Sequence, residues 1–119
     1  MTQDSRQVLI ELLFLSLYLD GELSLAEDEI FGEAMESLGW DSPFPRERFI
    51  FAAFSGAREA AADALKAETF LNARTGILKR DGQEASALTW LYRVLGADGI
   101  SPSEERFLKQ IETRLYPNS

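Results

Sequence analysis

An internal repeat constrains the fold of this chain more than any other sequence feature. Residues 13–38 align with residues 91–115, and Asp20-Gly21 matches Asp98-Gly99. The first copy has one additional residue, Glu22. The apolar positions also correspond: Leu13 with Leu91, Phe14 with Tyr92, Leu17 with Leu95, Ile30 with Phe107, Phe31 with Leu108, Ala34 with Ile111 and Leu38 with Leu115. Because these positions have helical spacing around an Asp-Gly turn, the repeat predicts two related helical hairpins that pack together with approximate two-fold symmetry.

Capping residues predict the helix boundaries of the first hairpin. Its first helix is expected from about Ser5 to Leu19 and is apolar on nearly every side, as in a central helix. Ser24 and Glu27 form a capping box at the start of the second helix, because each side chain can accept a hydrogen bond from the other residue's backbone N–H. Gly39 is well placed to end that helix in the left-handed conformation.

The second hairpin carries similar signals. Asp81, followed three residues later by Glu84, is predicted to cap a helix that ends near Ala97. The last helix begins with Ser101-Pro102-Ser103-Glu104, which combines a capping box with a proline at the first helical position.

The middle of the chain is predicted to be helical but interrupted. A third helix begins near Pro45 or Arg46, Ser55-Gly56 breaks or kinks it, and an Ala-rich helix covers Ala57 to Ala73 before a connection at Gly76. No stretch alternates with period two, so no strand is expected. The predicted fold class is all-α, a compact helical bundle of about five to seven helices in a single domain over residues 1–119.

Composition excludes several kinds of function. The chain of 119 residues has no cysteine and no histidine, which removes disulfides, most zinc sites and the histidine-dependent nucleophile systems. An enzyme is therefore not expected. The net charge of −8 disfavours nucleic-acid binding and favours a cation or a basic protein partner. Residues 1–6 are polar and residues 8–19 are too few to span a bilayer, so no targeting or transmembrane segment is predicted and a cytoplasmic location is expected.

Asp20 and Asp98 are unusual because each follows the C-terminal end of a predicted helix. The helix dipole makes a carboxylate mildly unfavourable there, by about 1 kcal/mol at most. The Asp side chain can offset this cost by accepting hydrogen bonds from the N–H groups of its own turn, or by binding a cation. Both explanations remain open, and the repeat could bring several carboxylates together.

At these residues the sequence resembles the TerB-like family, the tellurite-resistance protein B group of small bacterial helical proteins. The similarity is carried by LYLDGELSLAE at residues 17–27 and LGADGISPSEE at residues 95–105. It implies an all-helical bundle of duplicated units, a role in the stress response to tellurite and other toxic agents, and association with other proteins near the membrane. It also implies divalent-metal binding through acidic residues, which in this chain are Asp20, Glu27, Asp98 and Glu104, with Glu22, Asp28 and Glu105 as neighbours.

An oxygen-only ligand set favours Ca²⁺ or Mg²⁺ over Mn²⁺. The spacing does not match an EF-hand, because the twelfth position counted from Asp20 is Phe31 and that counted from Asp98 is Lys109. With the neighbouring Glu22 included, the metal ligands that the resemblance implies are Asp20, Glu22, Glu27, Asp98 and Glu104, contributed by both hairpins.

A second functional hypothesis concerns the continuous apolar run from Phe49 to Phe54. One face of a helix cannot bury such a run, so the run either lies in a fully apolar core, which we favour, or marks a homodimer or target interface. The interface interpretation makes the protein a metal-independent interaction module, such as an adaptor or an acidic immunity protein. A third hypothesis, an acid–base hydrolase, requires two carboxylates across a pocket.

Overall fold

The structure is a computed structural model that describes residues 1–20, 25–96 and 99–117, of which Asp20, residues 25–28, Ile30 and Phe31 are described by their backbone only. These residues form six α-helices and no strand, which confirms the all-α prediction. The helices are α1 (Gln3–Asp20), α2 (Leu25–Leu38), α3 (Arg46–Ala61), α4 (Ala64–Arg80), α5 (Glu84–Leu95) and α6 (Pro102–Leu115). The radius of gyration, 13.3 Å, is near the ~13.5 Å expected for a compact domain of this length.

Helix α1 lies at the centre of the bundle. It packs against α3, α4, α5 and α6, and its residues Leu9, Ile10, Leu12 and Leu15 are completely buried. This confirms the prediction of a central helix that is apolar on nearly every side. The one carboxylate within the apolar stretch, on Glu11, accepts hydrogen bonds from Arg74 of α4 at 2.7 and 3.2 Å.

The repeat corresponds to the α1–α2 and α5–α6 pairs, and those of its apolar side chains that the structure describes are mostly buried in both copies. α2 packs against α5, and α5 packs against α6. Buried equivalent pairs include Leu13 with Leu91, Ala34 with Ile111, and Leu38 with Leu115. Two of the described pairs differ: Leu17 is half-buried whereas Leu95 is completely buried, and, more strongly, Phe14 is buried whereas Tyr92 is 40% exposed. The second difference arises because α3 covers the first copy, with the ring of Phe54 packed edge-on against Phe14 at 4.9 Å.

Several predicted helix ends are confirmed. Gly39 follows α2 with φ of 82°, in the left-handed region that a residue without Cβ adopts most readily. At α6, Ser101 Oγ accepts from the N–H of Glu104, Glu104 accepts from the N–H of Ser101, and Pro102 is the first helical residue. The capping box predicted for Ser24 lies outside the described residues.

The predicted breaks in the middle of the chain are wrong. Helix α3 continues through Ser55-Gly56, and α4 continues through Gly76. A glycine within a helix costs only about 1 kcal/mol, which burial of neighbouring residues readily offsets. The actual break is at Ala62-Asp63, where the Asp63 carboxylate caps α4 by accepting hydrogen bonds from the N–H groups of Leu65 and Lys66.

Asp81 does not cap α5 as predicted. It ends α4, and the N-cap of α5 is Gln83, which makes no side-chain capping bond. Gly82, with φ of 66°, closes a Schellman motif in which the N–H groups of Gly82 and Gln83 donate to the carbonyls of Lys79 and Leu78.

The Asp81 carboxylate instead binds the start of α1. It accepts hydrogen bonds from Thr2 Oγ1 at 2.6 Å, from Ser5 Oγ at 2.9 Å and from Arg80 Nε at 3.1 Å. The bond from Thr2, together with those from Arg80 and Ser5, lowers the pKa of Asp81 from 3.8 to about 2. The first residues of the chain are thereby fixed to the α4–α5 junction.

Candidate protein-binding surface

The most prominent exposed apolar feature among the described residues lies on α3. Four exposed residues follow one another along this helix at spacings of four, three and four positions: Glu47, Phe51, Phe54 and Arg58. This spacing places them on one helix face, which we call the α3 stripe. The opposite face carries Ala53, Ala57 and Ala60, which are buried in the core. The fully buried residues of this helix are thus all alanines, whereas two of its phenylalanines, Phe51 and Phe54, are exposed.

Two aromatic rings form the centre of the stripe. Phe51 is 81% exposed and Phe54 is 45% exposed. Phe54 is held edge-on against Phe14 and, at 5.0 Å between ring centroids, against Tyr18. Phe51 has no ring contact of this kind among the described residues. Transfer of such a side chain from water into an apolar contact is worth about 1.5–3 kcal/mol, so covering Phe51 with another surface would be favourable.

A groove of about 350 Å³ runs along the stripe. Its lining consists of the stripe itself together with Tyr18, Ile50 and Ser55. It is therefore a shallow aromatic groove with a carboxylate near one end and a guanidinium near the other. Such a combination of aromatic and arginine side chains is typical of residues that dominate protein–protein binding energies.

The charged ends of the stripe have no partners within the described part of the chain. Neither Glu47 nor Arg58 forms an ion pair or a side-chain hydrogen bond there. Their neighbours differ, since Arg46 binds Glu36 at 2.9 Å and Glu59 binds Lys66 at 3.4 Å. The two charges on the stripe are thus available to an external surface.

A second groove, of about 480 Å³, lies where α3 meets α4. It contains two carboxylates, Glu59 and Asp63, as an acid–base hydrolase would require. Glu59 is paired with Lys66, and Asp63 is the N-cap of α4. The cation at the other side, Arg74, is bound to Glu11 and lies 3.8 Å above the Phe70 ring. Because these charged groups already hold α1, α3 and α4 together, this groove is a weaker functional candidate than the α3 stripe.

Of the predicted metal ligands, the structure describes the side chain of Glu104 only. Glu22 and Asp98 lie outside the described residues, and Asp20 and Glu27 are described by their backbone alone, in α1 and α2. Within the described ranges, no group of three or more potential metal-ligating side chains occurs. The neighbouring Glu105 forms an exposed ion pair with Lys109 at 3.7 Å.

Glu104 is nevertheless unusual for a carboxylate. The residue is 3% exposed, and its Oε1 accepts the N–H of Ser101 at 2.9 Å. Its Oε2 is buried and has no hydrogen-bond partner among the residues that the structure describes. Buried carboxylate oxygens are normally hydrogen-bonded or bound to a cation, so this atom retains the capacity to bind a ligand.

Only part of this surface was predicted from the sequence. The run from Phe49 to Phe54 was expected mainly in the core, and that interpretation is correct for Ala53 but wrong for Phe51. Phe49 and Ile50 are half-buried. The charged ends, Glu47 and Arg58, were not identified, although helical spacing from Phe51 and Phe54 would have located them.

Compared with models of known protein families, with curated proteins and with solved structures, the chain shows no match. Within the described residues, no helix combines the length and apolar character that a membrane crossing requires.

Proposed function

We propose that this protein is a binding module that recognises another protein surface through the α3 stripe. The observation that carries the proposal is the exposure of Phe51, 81%, next to Phe54 in an aromatic groove. A side chain of this size projecting fully into water lowers solubility and contributes nothing to the core, whereas it is well suited to an interface.

The charges on the stripe define the chemistry of the partner. Glu47 and Arg58, on the same face as the aromatic pair, require a surface with one cation and one anion on either side of an apolar centre. The sequence alone favoured a basic partner because the net charge is −8. At this surface a purely basic partner is less suitable, because it would place positive charge against Arg58.

Site-specific cross-linking tests this function. A photoreactive phenylalanine analogue at position 51 of the full chain, irradiated in the source cells, is expected to give a discrete adduct that survives a metal chelator. The same analogue at position 92 is the matched control, because Tyr92 is also a partly exposed aromatic residue but lies on α5. The adducted protein, once purified, must bind the native chain and lose binding to Phe51→Ser. No adduct at position 51, or the same adducts at both positions, would contradict the proposal.

We propose a stress-response role for this binding function, as the TerB-like resemblance implies. Support comes from the two Asp-Gly segments of the sequence repeat and from the all-helical fold. A strain lacking the gene is expected to grow more poorly with tellurite than its parent. Equal growth of the two strains would contradict the stress role and leave the binding function intact.

A divalent-metal site is the second candidate function, and one observation favours it. Glu104 has a buried carboxylate oxygen without a partner among the described residues, and this is the kind of ligand that Ca²⁺ and Mg²⁺ prefer. In this proposal Asp20, Glu27 and Asp98 supply further carboxylates, as the family resemblance implies, and the neighbouring Glu22 joins them. The bound cation would neutralise part of the acidic excess and stabilise the two turns.

Calorimetric titration separates the metal candidate from the protein-binding function. Ca²⁺, Mg²⁺ and Mn²⁺ are titrated into the native protein, into Glu104→Gln and into an Asp20→Asn/Asp98→Asn variant. The proposed site predicts a saturable heat that both variants reduce. Equal heats in all three proteins would end the case for a metal site there. Glu105→Gln is the control, because that carboxylate is exposed and paired with Lys109.

A further inference from the structure

Along α3 the stripe reads Glu47, Phe51, Phe54, Arg58, which is an acid, two aromatic rings and a base. Two copies of the stripe in antiparallel orientation are therefore complementary to each other. Glu47 precedes Phe51 by four residues, and Arg58 follows Phe54 by four residues. A two-fold axis perpendicular to the helix, midway between Phe51 and Phe54, therefore exchanges the two rings and also exchanges Glu47 with Arg58. Because these four residues share one exposed face, both exchanges occur on the same surface.

We propose that the partner of the α3 stripe is a second copy of this chain, with the two α3 helices packed antiparallel about that axis. This inference rests on the proposed protein-binding function and specifies its partner. Glu47 of each copy then lies opposite Arg58 of the other, and Phe51 lies beside Phe54 of the other copy. Such an interface uses the same patch twice, as in most symmetric dimers.

The geometry of an α-helix makes this pairing consistent. Residues 47 and 58 are separated by eleven positions, which corresponds to ~16 Å along the helix axis. Because the separation is identical in both copies, the two charge pairs form together when the aromatic rings meet at the centre. A parallel arrangement would instead place Glu47 against Glu47 and Arg58 against Arg58, and like charges in contact oppose association.

The charge balance of the stripe favours a second copy over an acidic or a basic partner. Both charges of the stripe are unpaired within the described residues, and a second copy satisfies both at once. Burial of the apolar centre also contributes to the free energy of association, because Phe51 would be covered by the groove that Tyr18 and Ile50 line on the other copy. A single helix pair buries less than the ~1,600 Å² of a typical stable interface, so the dimer is expected to dissociate on dilution.

Charge reversal tests the antiparallel arrangement. Sedimentation equilibrium or light scattering over a concentration series is expected to show the native mass rising from 13.4 kDa toward twice that value. Glu47→Arg and Arg58→Glu should each weaken association by about tenfold, since each replaces both attractive pairs with repulsive ones. The double variant Glu47→Arg/Arg58→Glu should restore association to near the native level. An equimolar mixture of the two single variants should also associate, because every pair between them is attractive.

Two controls show that the variants act at the interface. All four residues of the stripe are exposed, so each variant is expected to keep the native thermal unfolding curve at a dilution where the native protein is monomeric. Phe51→Ser should abolish association, whereas Tyr92→Ser on α5 should not change it.

The outcomes distinguish this inference from the proposed function. A native protein that stays monomeric at every concentration, while position 51 still cross-links to a different protein, would overturn the dimer and retain the binding function. A dimer unaffected by either single charge reversal would overturn the antiparallel arrangement. A monomer without any adduct at position 51 would overturn both.

Discussion

At the scale of single residues, Asp81 provides much of what holds the start of the chain in place. Its carboxylate accepts hydrogen bonds from Thr2, Ser5 and Arg80, two of which span more than seventy residues of sequence. These bonds favour the charged form, and they lower the pKa of Asp81 to about 2. The unfolded chain therefore binds more protons than the folded chain between pH 2 and pH 3.8.

This difference predicts how stability depends on pH. The contribution of Asp81 to the free energy of unfolding is fully present above about pH 3.8 and is lost as the pH falls through about 2. Asp81→Asn is expected to lower stability at neutral pH and to flatten the acid branch of the stability curve. Urea unfolding from pH 2 to pH 7 measures both effects. Asp41→Asn is the control and should leave stability at neutral pH unchanged, because its exposed carboxylate has no ion pair or side-chain hydrogen bond in the described part of the chain.

The capping box of α6 gives a second prediction at this scale. Ser101→Ala removes the hydroxyl oxygen that accepts the N–H of Glu104, so the free energy of unfolding should fall by about 1 kcal/mol. The same change at Ser103, within the first turn, should have an effect below about 0.5 kcal/mol. Chemical denaturation of the two variants side by side checks the difference, and equal losses would contradict the assigned cap.

At the scale of secondary-structure elements, the packing of α3 depends on small side chains. Ala53, Ala57 and Ala60 are buried, and α3 makes its most extensive contacts with α1. Ala57→Leu adds volume to a site with 0% exposure and should destabilise the protein by about 1–3 kcal/mol. Ala52→Leu, on the exposed side of the same helix, should change stability by less than about 0.5 kcal/mol. Thermal or urea unfolding distinguishes the two variants, and a neutral Ala57→Leu would mean that α3 does not pack tightly there.

The element boundaries show what sequence can and cannot predict here. Gly39 and the Ser101–Glu104 box were correct because they act through local backbone hydrogen bonds that involve only neighbouring residues. Gly56 and Gly76 were misjudged as breaks because burial of surrounding residues in α3 and α4 outweighs the intrinsic cost of glycine. Asp81 was misassigned for a related reason, since its hydrogen-bond donors come from the distant start of α1.

The candidate site was predictable only in part. The apolar run from Phe49 to Phe54 is visible in the sequence, but periodicity alone cannot determine which face of α3 the rest of the bundle covers. Phe51 is exposed because α3 packs its alanine face against the core, where its most extensive contacts are with α1. The predicted metal ligands depended on the Asp-Gly turns, whose carboxylates lie outside the described residues, so that site remains a prediction.

At the scale of the whole molecule, the two copies of the repeat have different surroundings. Leu13 and Leu91 are buried alike, whereas Phe14 is 3% exposed and Tyr92 is 40% exposed. Helix α3 packs against the first copy at Phe14, whereas Tyr92, at the equivalent position of the second copy, is partly exposed to solvent. The two copies thus share buried apolar positions, and the packing of α3 on α1 makes their surroundings different.

This asymmetry predicts unequal effects of equivalent substitutions. Phe14→Ala should lower the free energy of unfolding by about 3–5 kcal/mol, because it leaves a cavity beneath Phe54. Tyr92→Ala, at the matching position, should cost about 1 kcal/mol. Urea denaturation of both variants measures the difference. Similar losses at the two positions would show that the copies are equally enclosed, contrary to the packing described above.

The central position of α1 also has a consequence for synthesis on the ribosome. Every apolar residue of α1 from Val8 to Leu15 is buried, yet two of the helices that enclose it, α5 and α6, begin only at Glu84 and Pro102. At ordinary translation rates α6 begins roughly 4–16 s after α1 is complete. Until then we expect α3, whose alanine face follows α1 in the chain, to provide the cover that limits aggregation of the nascent segment.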